Sequence, residues 1–210
     1  MNELVNIAVV YYSATGTIAD IAREMAETAE KAGAEVRLRR VAELAPQETI
    51  DSNPAWAANL AATADIPTAT ADDLVWADGI LLGSPTRFGN IAAQVKQFLD
   101  TLGPVWQQGL LADKVYSGFT SAGTGHGGHE ATLLALSHTF HHFGGILVPP
   151  GYTDPAKFAD GNPYGTSHFD QGGTNPVNDT TRAAARVQAE RAVRFARAIK
   201  SANEPTAATV

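Results

Sequence analysis

A chain of 210 residues with 15 basic and 22 acidic side chains carries a formal net charge of −7, so the basic footprint of a nucleic-acid binder is missing. The absence of cysteine excludes disulfides, thiolate metal sites and a cysteine nucleophile. The length suits a single domain with a sizeable core, Met1 to Val5 lack the basic and apolar regions of a signal peptide, and no apolar run approaches the ~18 residues of a membrane span, so a soluble cytoplasmic protein is expected.

Asn6 to Tyr12 reads as a buried strand, and Ser13-Ala14-Thr15-Gly16-Thr17-Ile18 follows it directly. Ile18, Ile21, Ala22, Met25, Ala26 and Ala29 then recur at helical spacing, which predicts a helix over Thr17 to Lys31 with a stop at Ala32-Gly33-Ala34. Glu35 to Val41 alternates polar and apolar, as a strand at a sheet edge would. Residues 46–71 read as a long irregular connection. Gly79 to Gly83 is apolar throughout, the mark of a strand covered on both faces. Next come Pro85-Thr86-Arg87-Phe88-Gly89-Asn90, a helix with Ile91, Val95, Phe98, Leu99 and Leu102 inward, and Gly103-Pro104 as its stop. A strand over Lys114 to Thr120, a glycine-rich loop from Ser121 to His129, a helix from Glu130 to His142 and a short strand at Ile146 to Val148 follow. A second long loop spans about 149–176, and an Ala-rich helix with a solvated arginine face ends the pattern. Strands alternating with helices give a doubly wound α/β fold, a five-stranded parallel sheet in the flavodoxin-like order 2-1-3-4-5 with helices on both faces. Ligands of such sheets bind beyond the carboxyl ends of the strands, so the loops after strands one, three and four should meet.

The first loop sets three hydroxyls and a glycine before a helix N-terminus, where free N–H groups and a partial positive charge favour an anion. No P-loop lysine is present, so a lone terminal phosphate, as on riboflavin phosphate, fits better than a triphosphate. A plain Ser/Thr cap is the simpler alternative. The second loop offers amide donors, one fixed cation in Arg87 and one aromatic ring. In the third, Gly123 to Gly128 satisfies Gly-x-Gly-x-x-Gly, but Val148-Pro149-Pro150 stands where a dinucleotide site wants an acidic residue. Ser121 and Ser84 lack the Gly-x-Ser-x-Gly elbow of a serine hydrolase. His138, His141 and His142 have helical spacing, yet no carboxylate completes a metal set.

Taken together, these loops resemble the WrbA family of flavodoxin-like NAD(P)H:quinone oxidoreductases. The resemblance runs through Val9 to Ser13, Pro85 to Asn90, Phe98-Leu99-Asp100, Ser121 to Gly125, Val148 to Tyr152 and Asn162-Pro163-Tyr164-Gly165. It implies non-covalent FMN, with Ser13, Ala14, Thr15, Gly16, Thr17 and Ile18 on the phosphate. Thr86, Arg87 and Phe88 would lie on one side of the ring, with Pro85, Gly89 and Asn90 also among the cofactor-binding residues, and Ser121, Ala122, Gly123, Thr124, Gly125 and His126 on the other. It also implies that His142 reaches the flavin from a neighbouring subunit of a homotetramer and that Trp106 walls the substrate pocket. Thr15 stands where many members place a tyrosine against the nicotinamide nucleotide. Arg87 and His142 are the expected catalytic groups, with NAD(P)H as reductant and a quinone as acceptor. A one-electron flavodoxin carrier and a tryptophan-repressor-binding module remain the alternatives.

Overall fold

The computed structural model describes residues 4–203, so Met1 to Glu3, read above for a targeting signal, lie outside the described residues. The first strand, β1 (Val5–Tyr11), is buried along nearly all its length. It leads into α1 (Thr17–Lys31), which buries the whole stripe from Ile18 to Ala29 read from the 3.6-residue period. At the sheet edge, β2 (Ala34–Arg40) carries its alternating charges, and Arg37 and Arg39 pair with Asp73 at 3.2 and 2.9 Å.

Residues 46–71 are not an irregular loop. They form α2 (Gln47–Asp51), α3 (Pro54–Ala62) and the first residue of α4 (Ala71–Trp76). Since α3 has no fully buried residue, its sequence has no apolar stripe for periodicity to detect. Its start signal was nonetheless present: Asn53 accepts hydrogen bonds from the Ala55 and Trp56 N–H groups, and Pro54 sits in the first turn.

Beyond α4 come the fully buried β3 (Gly79–Pro85), α5 (Ala93–Asp100) and α6 (Gly103–Gln107). Gly103-Pro104 thus opens a helix rather than only ending one, because proline costs no hydrogen bond in a first turn. The next strand, β4 (Val115–Ala122), runs two residues past the expected Thr120, so Ser121 and Ala122 belong to strand rather than loop. It is followed by α7 (His129–His142) and the two-residue β5 (Ile146–Leu147). The second long loop also contains structure, α8 (Pro155–Asp160) and β6 (Thr166–Phe169), elements of 6 and 4 residues that are too short to show a period. Last described is α9 (Asp179–Asn203), whose alanine stripe is buried; its arginines are not all free, since Arg182 and Arg186 bind Glu24 of α1 at 3.2 and 2.8 Å.

The sheet is parallel in the order β2-β1-β3-β4-β5, as the alternation of elements implied. One strand adds to that plan. Whereas β5 pairs with Val115 and Tyr116 of β4, β6 pairs with Phe119 to Ala122 further along the same edge. Apolar cores cover both faces: Ile7, Val9 and Leu81 pack against α1 and α9, while Ala8, Val10, Ile80 and Leu82 pack against α4, α5 and α7. No helix among the described residues is long and apolar enough to cross a membrane.

Candidate active site

Strand register creates the site. Tyr11 pairs with Gly83, Pro85 with Ser121 and Ala122 with Phe169, so the segments leaving β1, β3, β4 and β6 emerge side by side. A cavity of about 60 Å³ lies between them. Ser13, Ala14, Thr15, Thr17 and Ile18 line it from the first segment, Pro85, Thr86 and Arg87 from the second, and Ser121, Ala122 and Gly123 from the third. A fourth arm, Asp170, was missed by sequence reasoning because its position depends on β6.

In the first segment, Gly16 adopts φ +106°, a left-handed conformation that glycine tolerates, and no side chain caps the α1 N-terminus behind it. The Gly16 N–H donates to Ser13 Oγ at 3.1 Å and the Thr17 hydroxyl donates to Asp170 Oδ2 at 3.3 Å. The segment is braced from behind, where Asn59 of α3 donates from Nδ2 to the carbonyls of Ser13 and Ala14 at 2.8 and 3.1 Å.

Beside this brace, the Glu43 carboxylate accepts hydrogen bonds from Tyr12 Oη and Trp56 Nε1, each at 2.9 Å, and from Gln94 Nε2 at 2.8 Å. Burial works to raise its pKa, but the Ala45 N–H and these side-chain donors outweigh it and hold the carboxyl below its ordinary range. Burial, reinforced by Glu43, pushes the Tyr12 phenol upward. Next to them is a cavity of about 20 Å³ lined by Tyr11, Glu43, Trp56 and Asn59, among others, and Tyr11 Oη is buried without a hydrogen-bond partner among the described residues. The space suits about one water.

The second segment turns tightly, with Arg87 N–H donating to Asn90 O at 2.7 Å and Asn90 N–H returning to Arg87 O at 3.0 Å. Inside that turn Phe88 has φ 53° and is fully exposed, and Gly89 has φ 76°. Arg87 donates from Nη1 to Thr86 O at 3.0 Å. Phe88 and Asn90 line a neighbouring groove of about 700 Å³ with Ile91, His138 and Thr139, and Arg87 lines both this groove and the small cavity.

Of the third segment, Thr124, Gly125 and His126 are exposed and lie outside the small cavity. The glycine pattern has a packing role here. A Cβ on Gly128, at φ +98°, would stand 2.6 Å from Gly89 Cα, so the second and third segments touch backbone to backbone. Trp106 donates from Nε1 to His142 O at 2.7 Å, and both residues are exposed and outside the cavity. Ser84 is buried, its Oγ accepting from Ala92 N–H and donating to Pro85 O, each at 2.9 Å. Among the described residues no group of three or more His, Asp or Glu is placed to hold a metal.

Residues 5–158 match the family described as NADPH-dependent FMN reductase. The chain is 48% identical over 194 residues, covering 92% of itself and 96% of the relative, to a protein of Deinococcus radiodurans named NAD(P)H dehydrogenase (quinone). A relative of the same name from Sinorhizobium fredii is 37% identical over 199 residues, 92% of this chain and 98% of that one. Among solved structures, a flavodoxin, WrbA-like protein from Agrobacterium tumefaciens superposes with TM-score 0.65 at 25% identity, over 92% of this chain and 98% of that one. With a match over most of its length and curated relatives of this closeness, the chain belongs to the NADPH-dependent FMN reductase family.

Proposed function

We propose that this protein is an FMN-dependent NAD(P)H:quinone oxidoreductase. The carrying observation is the cavity at the carboxyl ends of β1, β3 and β4, with a helix N-terminus that no side chain caps at its floor. Its donor set fits a phosphate monoester: the first-turn N–H groups of α1 supply partial positive charge, and the hydroxyls of Ser13, Thr15 and Thr17 supply further donors. Pro85 to Asn90 and Ser121 to His126 would hold the attached ring. FMN, when bound, supplies the hydride chemistry. Arg87 brings a fixed positive charge to the rim and would steady the anionic reduced ring.

The relatives' names, NAD(P)H dehydrogenase (quinone), support a nicotinamide nucleotide and a quinone as the two substrates. In our reading they use one face in turn, a ping-pong scheme, with Thr15 beside the nucleotide and Trp106 beside the quinone. His142 lies outside its own chain's cavity, so we assign it to a neighbouring copy's site in a homotetramer acting in the cytoplasm. Purified protein titrated with FMN should show a shifted flavin spectrum, and should oxidise NAD(P)H with benzoquinone to give parallel double-reciprocal lines. Arg87→Ala should keep FMN and lower kcat/KM about tenfold or more. Failure to take up FMN would end this reading.

A further inference from the structure

The proposed chemistry leaves one acidic side chain of the cavity without a task. Asp170 directly follows β6, and its backbone is fixed on both sides: its N–H donates to Ala122 O at 3.0 Å, and its carbonyl accepts from Gly173 and Asn175 N–H at 2.9 Å each. Its Oδ1 accepts from Gly172 N–H at 2.9 Å, which aims Oδ2 at the Thr17 hydroxyl 3.3 Å away. The carboxylate is therefore built into the cavity wall. No ion pair among the described residues includes it, and Arg87, the cation lining the same cavity, has its Nη1 engaged by Thr86 O.

Thr17 is the first residue of α1, where a phosphate would draw on every available donor. A hydroxyl carries one proton. Asp170 and a bound phosphate would compete for it, and two anions at one site repel each other. Resting on the FMN reading above, we propose that Asp170 is a specificity-determining residue of the phosphate cradle. It engages the Thr17 hydroxyl and adds negative charge at the rim, which lowers the contribution of the phosphate to flavin affinity and leaves the cofactor exchangeable. The chemical distinction it sets is between a flavin bearing a terminal phosphate monoester and the same flavin without one.

The test uses full-length apoprotein, titrated with FMN and with riboflavin by quenching of flavin fluorescence. Asp170→Asn keeps an Oδ1 acceptor for Gly172 and removes the charge. It should tighten FMN about fivefold while moving riboflavin by less than about twofold. Asp170→Ser, whose hydroxyl can accept from the same turn, should shift the ratio in the same direction and guards against a folding defect peculiar to one variant. Unchanged or weaker FMN binding in both variants would overturn the assignment. Riboflavin moving in step with FMN would overturn it too, by making Asp170 a contact of the shared ribityl chain or ring. Were the wild type to bind neither flavin, the FMN reading would fall first and this one with it; equal FMN affinity of wild type and variants removes Asp170 alone.

Discussion

Glu43 shows how one side chain ties together the elements behind the first segment of the site. Its hydrogen bonds from Tyr12, Trp56 and Gln94 join the residue that follows β1 to α3 and α5, and its pKa lies below the ordinary 4.5. A depressed carboxyl contributes stability that is present above 4.5 and lost as pH falls through the folded-state value. Glu43→Gln should cost about 1–2 kcal/mol near neutrality, with the gap to wild type closing below that pH, as urea midpoints across a pH series will measure. Gly128→Ala should destabilise by more than about 2 kcal/mol in the same assay, because its Cβ meets Gly89 backbone at 2.6 Å and φ is positive. Ser13 to Ile18 could be picked out in the sequence because hydroxyls and a glycine between a strand and a helix carry their meaning locally. Asp170 could not: an aspartate in a stretch rich in glycine, proline, asparagine and threonine acquires its place only through the pairing of β6 with β4.

At the scale of elements, the 3.6-residue period located α1, and the uniformly apolar run located β3, because both bury whole stripes or faces. It passed over α3, which is partly exposed and acts through polar contacts, those of Asn59 with the Ser13 and Ala14 carbonyls and that of Trp56 with Glu43. Asn59→Ala removes the donor from the Ser13 and Ala14 carbonyls and should weaken FMN about tenfold, for about 1 kcal/mol of stability. Asn59→Asp sets an acceptor against two acceptors and should do worse in the same titration. In α8 the ammonium of Lys157 and the carboxylate of Asp160 form an ion pair that is almost wholly buried. Lys157→Met strands the carboxylate and should cost about 3–5 kcal/mol; Lys157→Met with Asp160→Asn, which removes the charge and keeps an acceptor for the Asn162 and Ser167 N–H groups, should recover most of that loss in thermal unfolding.

Across the whole molecule, the apolar cores on the two faces hold the sheet, while the polar segments converge at the carboxyl ends of its strands. That division made the strand order legible from alternation alone, since parallel strands with covering helices leave few topologies. A ligand at that end acts on the folded state only, so FMN at 100 times its Kd should raise the unfolding free energy by about 2.7 kcal/mol, with slowed amide exchange concentrated in residues 13–18, 85–90 and 121–123. The shared neighbour of β5 and β6 has a further consequence. Each lies against its own part of β4, and Val148 N–H still donates to Tyr116 O, so residues 149–165 form a detour anchored at both ends. Neither fragment is long enough to template a foreign strand along that border. The detour could be exchanged as a cassette between relatives while Asp170 stayed in register, making it the natural place to retailor this scaffold.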